Sequence, residues 1–302
     1  MSAELDSRAG RVLLVFPGAL GDFLLLAPSI AALRTRHPAV ELSVSRTLEP
    51  LVRELFPGPP GPPADGAAMG SLFAADLHPA VVEWMRDAAR LEAWLGEPAV
   101  LARHARALGV GAVRRLHVER SDEGPHASAA YASALGVTPV VPAVPAAWRD
   151  ARVRSRRLVL HPGAGGAAKR WSADGFRAVA DAWRARGGET TVLLGPAEAD
   201  EERTWRASGH EVAAGLALGA VARLLGAAPR YVGNDSGISH LAALVGCRGA
   251  VLFGPTRPAR WRPLGDGLVP LVFADRDDAQ MRDVVLARLV AAGHLDTPTP
   301  RH

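Results

Sequence analysis

The chain reads as an α/β protein built on parallel sheet, and three features of the sequence predict that class. In the second half, short apolar runs near Leu158, Thr191, Val212, Tyr231 and Val251 alternate with stretches of helical spacing, the pattern of strands joined by crossover helices. Glycine-rich segments sit where such a strand gives way to a helix: PGALGD at 17–22, HPGAGGAAKRW at 161–171 and GNDSGISHLAA at 233–243. The 302 residues, 48% hydrophobic and 5% aromatic, suffice for two domains of ordinary size with cores of Leu, Val and Ala.

In chain order, residues 11–16 (RVLLVF) predict the first strand and 22–36 the first helix, with Pro28 starting a second helical segment after a kink. Arg34, Arg36 and His37 close that helix, where cations complement its dipole. A strand at 42–45 follows. The cluster FPGPPGPPADGAAMG at 56–70 is too rich in Pro and Gly for regular structure and reads as an exposed loop. Helical pieces are predicted at 79–95 and 98–108, and a strand at 113–118. Residues 137–156, Pro-rich and then basic, read as the linker between a first domain at 1–145 and a second at 146–302. The second domain opens with a strand at 157–161 and a helix at 172–186, and a helix at 279–292 that can pack back on the first domain closes it.

Composition narrows the function classes. A net charge of +4 and a pI near 10.1 fit an anionic partner, but the arginines are spread along the chain without a nucleic-acid motif, so no nucleic acid is predicted. The same basic excess is compatible with peripheral contact at an anionic inner membrane face. One cysteine, Cys247, leaves no internal disulfide or cysteine metal site, and a reducing cytoplasm is the simplest compartment. Residues 1–10 lack an apolar leader, and no run approaches the roughly 20 apolar residues of a membrane span.

The glycine segments suggest anion chemistry. Gly163, Gly165 and Gly166 permit positive φ and close approach of a ligand to the backbone, the following helix start offers N–H groups, and Lys169 adds a full charge. Neither GxxxxGK[ST] nor GxGxxG is present, which disfavours a P-loop kinase and a dinucleotide dehydrogenase. Asn234, Asp235 and Ser236 are turn and cap types before an apolar helix at 238–245, a second helix start at the same sheet edge. Bland alternatives stand beside each reading. The first turn only reverses the chain with Lys169 solvated, Asp235 is a plain cap, and His240 is a buried helix histidine bonded to a backbone carbonyl. Likewise FGPT at 253–256 either turns the chain or brings Thr256 to the ligand, and Arg257, Arg260 and Arg262 either meet an acidic acceptor or are solvated.

Five blocks carry a family likeness: RVLLVFPGALGDFLLLAPSIAALRTRHP (11–38), HPGAGGAAKRW, LLGPAEADE (193–201), GNDSGISHLAALVG (233–246) and VLFGPTRPARWRP (251–263). In this order they resemble the family 9 glycosyltransferases, whose best-known members are the ADP-heptose:lipopolysaccharide heptosyltransferases. Residues 40–145 carry almost none of the likeness. The resemblance implies a GT-B fold, two Rossmann-like domains facing a central cleft, with the acceptor on the first and the nucleotide-sugar donor on the second.

It also implies an inverting, metal-independent transfer with no cofactor, by default of heptose from ADP-heptose to a hydroxyl of a glycan or lipid-linked glycan acceptor. Asp22 takes the place of the family's general base, with Gly18 and Gly21 giving its loop room on the acceptor side; read from the residues alone, Asp22 is a helix cap. Lys169 corresponds to the donor-phosphate lysine, surrounded by Gly163, Ala164, Gly165, Ser236 and Gly237. Asp235 falls near the donor sugar with His240 on the same motif. Glu198 is the candidate for the ribose hydroxyls, in competition with Asp200, Glu201 and Glu202 and with a plain solvated acidic helix start, and Leu216 falls against the base. The alternatives are a GT-B transferase using a UDP- or GDP-sugar, and a protein that binds a nucleotide sugar without transferring it.

Overall fold

The computed structural model describes residues 10–119, 121–149, 156–274 and 276–293; of the N-terminal stretch without an apolar leader, residues 1–9 lie outside these. The chain divides into two compact units, Met1–Ser121 with Ala127–Ala143, and Asp122–His126 with Val144–His302.

The first unit runs β1 (Val12–Phe16), α1 (Leu20–Arg36), β2 (Val40–Val44), α2 (Glu49–Leu55), α3 (Ala67–Gly70), α4 (Pro79–Met85), β3 (Arg90–Ala93), α5 (Pro98–Ala107), β4 (Ala112–Arg115) and α6 (Ala127–Leu135). Among the described residues its sheet is parallel, in the order β2-β1-β3-β4, with Val12 opposite both Val40 and Arg90. Every β1 side chain is buried, as a central parallel strand with both faces covered requires.

Three expectations for this unit are corrected. Pro28 does not split the first helix: α1 is continuous, because Phe23, Leu24, Leu25, Leu26 and Ile30 are all buried around it. Each such side chain is worth about 1.5–3 kcal/mol, which together outweighs the ~3 kcal/mol cost of an interior proline. The helix foreseen at 79–95 stops at Met85, and Arg90–Ala93 is a strand. The residues RLEA have helical propensity, but Glu92 is fully buried and ion-paired to Arg90 and to Arg114 on β4, so tertiary pairing decides. The cluster at 56–70 is not a free loop. Gly61 and Ala64 donate backbone hydrogen bonds to Leu42 and Val44, covering the edge of β2, and Met69 is buried below.

The second unit runs β5 (Arg157–His161), α7 (Ala173–Ala185), β6 (Glu189–Leu194), α8 (Glu202–Ala207), β7 (Glu211–Ala214), α9 (Leu218–Gly226), β8 (Arg230–Asn234), α10 (Gly237–Val245), β9 (Arg248–Phe253), α11 (Pro258–Trp261), β10 (Leu268–Val272) and α12 (Asp278–Gly293). Its sheet is parallel, in the order β10-β9-β8-β5-β6-β7. From β5 the chain winds outward through β6 and β7, then returns to β8 and winds the other way. The reversal falls between β5 and β8, at the carboxyl ends of which an open α/β sheet binds its ligands. The edge strand β10 carries Pro270, which hid it from sequence reading.

The closing helix α12 buries Met281, Val285, Leu286 and Leu289 in the core of this same unit. Within the foreseen linker, Trp148 is fully buried and its carbonyl lies where a Cβ on Gly226 of α9 would be, so this part is docked rather than free.

Candidate functional site at the carboxyl edge of the second sheet

The loops after β5 and β8 are joined by one side chain. Asn234, fully buried at the end of β8, donates from Nδ2 to the Pro162 carbonyl at 2.7 Å, and its Oδ1 accepts from the Trp171 amide at 3.1 Å. This brings Lys169 to Asp235, Nζ to Oδ2 at 2.8 Å, while Thr256 Oγ1 from the loop after β9 donates to the same oxygen at 2.6 Å. Asp235 is 5% exposed and Lys169 about a third, so the cation faces outward from a buried anion.

Several residue-level alternatives now resolve. The N-cap of α10 is Ser236, not Asp235, so the plain-cap reading of Asp235 fails. Ser236 makes no capping bond, so the first-turn amides of α10, Gly237 included, have no side-chain partner among the described residues at a positive helix end. By contrast α7 is capped by Ser172 accepting from Gly175 at 2.9 Å, and a 3-10 turn (Ala167–Lys169) separates it from the glycines, so the helix start expected beside them does not serve there.

Gly163, Gly165 and Gly166 have no positive φ. Gly163 is required by packing, since a Cβ would meet the Glu198 carboxyl and the His161 ring; Gly165 and Gly166 face open space, and Ala164 accepts from Arg170 at 3.4 Å.

Glu198 is buried, so the solvated reading fails for it. Oε2 accepts from the Gly195 amide at 3.1 Å, and Oε1 pairs with Arg170 at 2.8 Å; Asp200 is exposed. Leu216, between β7 and α9, is an exposed apolar side chain. His240 is buried with no carbonyl partner among the described residues. Burial pushes its pKa down to about 4, against the raising effect of Asp235 and with the help of His126 and Lys169, so it is neutral near pH 7. The basic trio after FGPT divides: Arg257 and Arg262 are exposed, whereas Arg260 is buried, stacked at 5.2 Å over Trp261 and donating to the Pro125 carbonyl.

In the first unit, Asp22 stands in the first turn of α1, whose N-cap is Ala19, so it is not the cap. Tyr131 of α6 donates to Asp22 Oδ1 at 3.2 Å, and no cation pairs with Asp22 among the described residues. Tyr131 is held edge-on against Phe16 and Trp94, at 5.8 and 6.1 Å between ring centres. Gly18 is buried with no room for a Cβ beside the Phe16 ring, and Gly21 lies inside α1. Among the described residues no group of three or more His, Cys, Asp or Glu is placed to hold a metal ion.

Residues 127–283 match the family model for glycosyltransferase family 9 (heptosyltransferase), just over half of the chain. The chain belongs to glycosyltransferase family 9, a family of glycosyl-transferring enzymes. It is 30% identical over 158 residues to lipopolysaccharide heptosyltransferase 3 of Escherichia coli, across 46% of this chain and 45% of that protein, so the matched region spans under half of that relative's length. Its fold is similar to the family 9 glycosyl transferase of Veillonella parvula, with a TM-score of 0.71 and 18% identity over 95% of this chain and 97% of that one. It is also similar to E. coli heptosyltransferase WaaC solved with ADP, with a TM-score of 0.69 and 19% identity over 93% and 99%.

These likenesses bear out the GT-B fold class. Asn234 and Thr256 stand in the motif blocks as polar residues, whereas Arg170, in HPGAGGAAKRW, was not singled out. Tyr131 lies in an alanine-rich helix with no motif, and nothing in the sequence pointed to it.

Proposed function

We propose that this family 9 member transfers a heptose from ADP-heptose to a hydroxyl of a glycan or lipid-linked glycan acceptor, with inversion. The observation that carries the reading is the Lys169–Asp235 pair at the point of strand reversal, beside the uncapped start of α10. A diphosphate at this edge meets a cation with two ammonium hydrogens still available and a positive helix end, the groups that stabilise a departing nucleoside diphosphate. Gly163, Ala164, Gly165 and Gly237 border it with backbone, Leu216 takes the base, and Glu198, already held by Arg170 and Gly195, offers its remaining lone pairs to the ribose.

In the transfer, the acceptor oxygen attacks the anomeric carbon, the bond from that carbon to the β-phosphate oxygen breaks, ADP leaves, and Asp22 takes the acceptor's proton. The first unit is accordingly the acceptor side and the second the donor side. No divalent cation enters this scheme, and dialysis against EDTA is expected to leave the rate unchanged. No helix among the described residues is long and apolar enough to cross a membrane. We place the protein in the cytoplasm, where a lipid-linked acceptor would draw its net +4 charge to the anionic membrane face.

Calorimetric titration with ADP, UDP and GDP, on the wild type and on Lys169→Ala, tests the donor side. Preference for ADP that weakens in the variant supports the reading; preference for UDP or GDP moves it to another sugar nucleotide. Donor binding without turnover on any acceptor would favour a non-catalytic binding protein.

A further inference from the structure

Asp235 is a buried carboxylate with unequal oxygens. Oδ2 accepts from Lys169 Nζ at 2.8 Å and from Thr256 Oγ1 at 2.6 Å, while Oδ1 has no hydrogen-bond partner among the described residues. Two donors on one oxygen stop the carboxylate from rotating, so Oδ1 keeps one direction. Oδ1, which receives neither of these donors, is the oxygen left to accept from a ligand. The adjacent ammonium has one hydrogen on Asp235 and two left for an anion. The ligand that satisfies both atoms carries a phosphate on Lys169 and hydroxyl groups directly beyond it.

We propose that Thr256 is a positioning residue that aims Asp235 Oδ1 at hydroxyls of the donor's sugar, and thereby sets the preference for the sugar-bearing nucleotide over the free nucleoside diphosphate. This rests on the reading of the second unit as the donor site. ADP alone uses Lys169 and the start of α10 but has no sugar hydroxyl beyond its β-phosphate for Oδ1. The Asp235 contact is therefore lost when the sugar departs, and product is held less firmly than donor.

Titration of the full chain with ADP and with ADP-heptose tests this through binding alone. Thr256→Val keeps the volume and removes the hydroxyl. It is expected to lower the ratio of ADP-heptose to ADP affinity about 10-fold, the scale of one hydrogen bond to a charged group, while ADP affinity moves by less than about 2-fold. Thr256→Ser is expected to restore the ratio. If circular dichroism shows that the Val variant is unfolded, Thr256→Ala is read in the same way. An unchanged ratio, or equal weakening toward both ligands, overturns the positioning role and leaves the donor site standing; a wild type that binds neither ligand overturns both.

Discussion

The candidate-site carboxylates of the two units are held in opposite ways. In the second unit Asp235 and Glu198 are buried and each is ion-paired, to Lys169 and Arg170, and each has a further donor on it. In the first unit Asp22 is partly buried, and its hydrogen-bond partner among the described residues is the neutral Tyr131 hydroxyl. Two donors on a buried carboxylate fix its direction, whereas a single neutral donor leaves lone pairs of Asp22 open to a substrate's proton. This contrast is the basis on which we propose geometry for the second unit and proton transfer for the first.

The largest test of that division is Asp22→Asn, expected to lower kcat about 1,000-fold while ADP affinity stays within about 2-fold. A comparable kcat loss in Asp235→Asn with Asp22→Asn active would invert the comparison.

The next effect is on stability. Every histidine whose pKa is clearly lowered, His126, His161, His210 and His240, belongs to the second unit, in each case chiefly through burial. For His240 the folded chain refuses a proton down to about 4, whereas the unfolded chain takes it up near 6.5, so stability is full above 6.5 and falls as the pH drops through this window. The loss from this one group is on the order of 3 kcal/mol. Thermal melts of His240→Gln against pH are expected to show a shallower acid decline; an unchanged slope would remove His240 from the account.

Smaller again is Lys169→Ala, expected to weaken ADP about 30-fold in calorimetry by removing a charge-assisted contact. The smallest is Tyr131→Phe, expected to lower kcat about 3-fold, consistent with one hydrogen bond aiming Asp22. If Asp22 is not the base, Tyr131→Phe leaves kcat unchanged.

How legible each unit was follows from what its residues do. The second unit could be read as alternating strands and helices because its loops carry Gly, Asn, Asp and Ser at sheet edges, and turn chemistry is local. In the first unit RLEA became a strand through Glu92 pairing with Arg114 on β4, a contact that no local propensity encodes. The proline cluster became the cover of an edge, with Gly61 bonded to Leu42. In the site, Lys169, Asp235 and Ser236 were visible as motif residues. Which oxygen Thr256 meets, and that Ser236 leaves its helix uncapped, depend on how β8 and β9 lie side by side, and positive φ was wrongly expected where Gly163 is demanded by Glu198.

Asn234 has one consequence for how the protein opens. Because its amide both donates to Pro162 and accepts from Trp171, an aspartate in its place would set a negative oxygen against the Pro162 carbonyl, and a leucine would strand both backbone groups. Separating the loops after β5 and β8 therefore breaks both of these buried hydrogen bonds. The Trp171 amide proton should accordingly exchange with solvent water as slowly as those inside β5, which would make this rim among the last parts of the second unit to let water in.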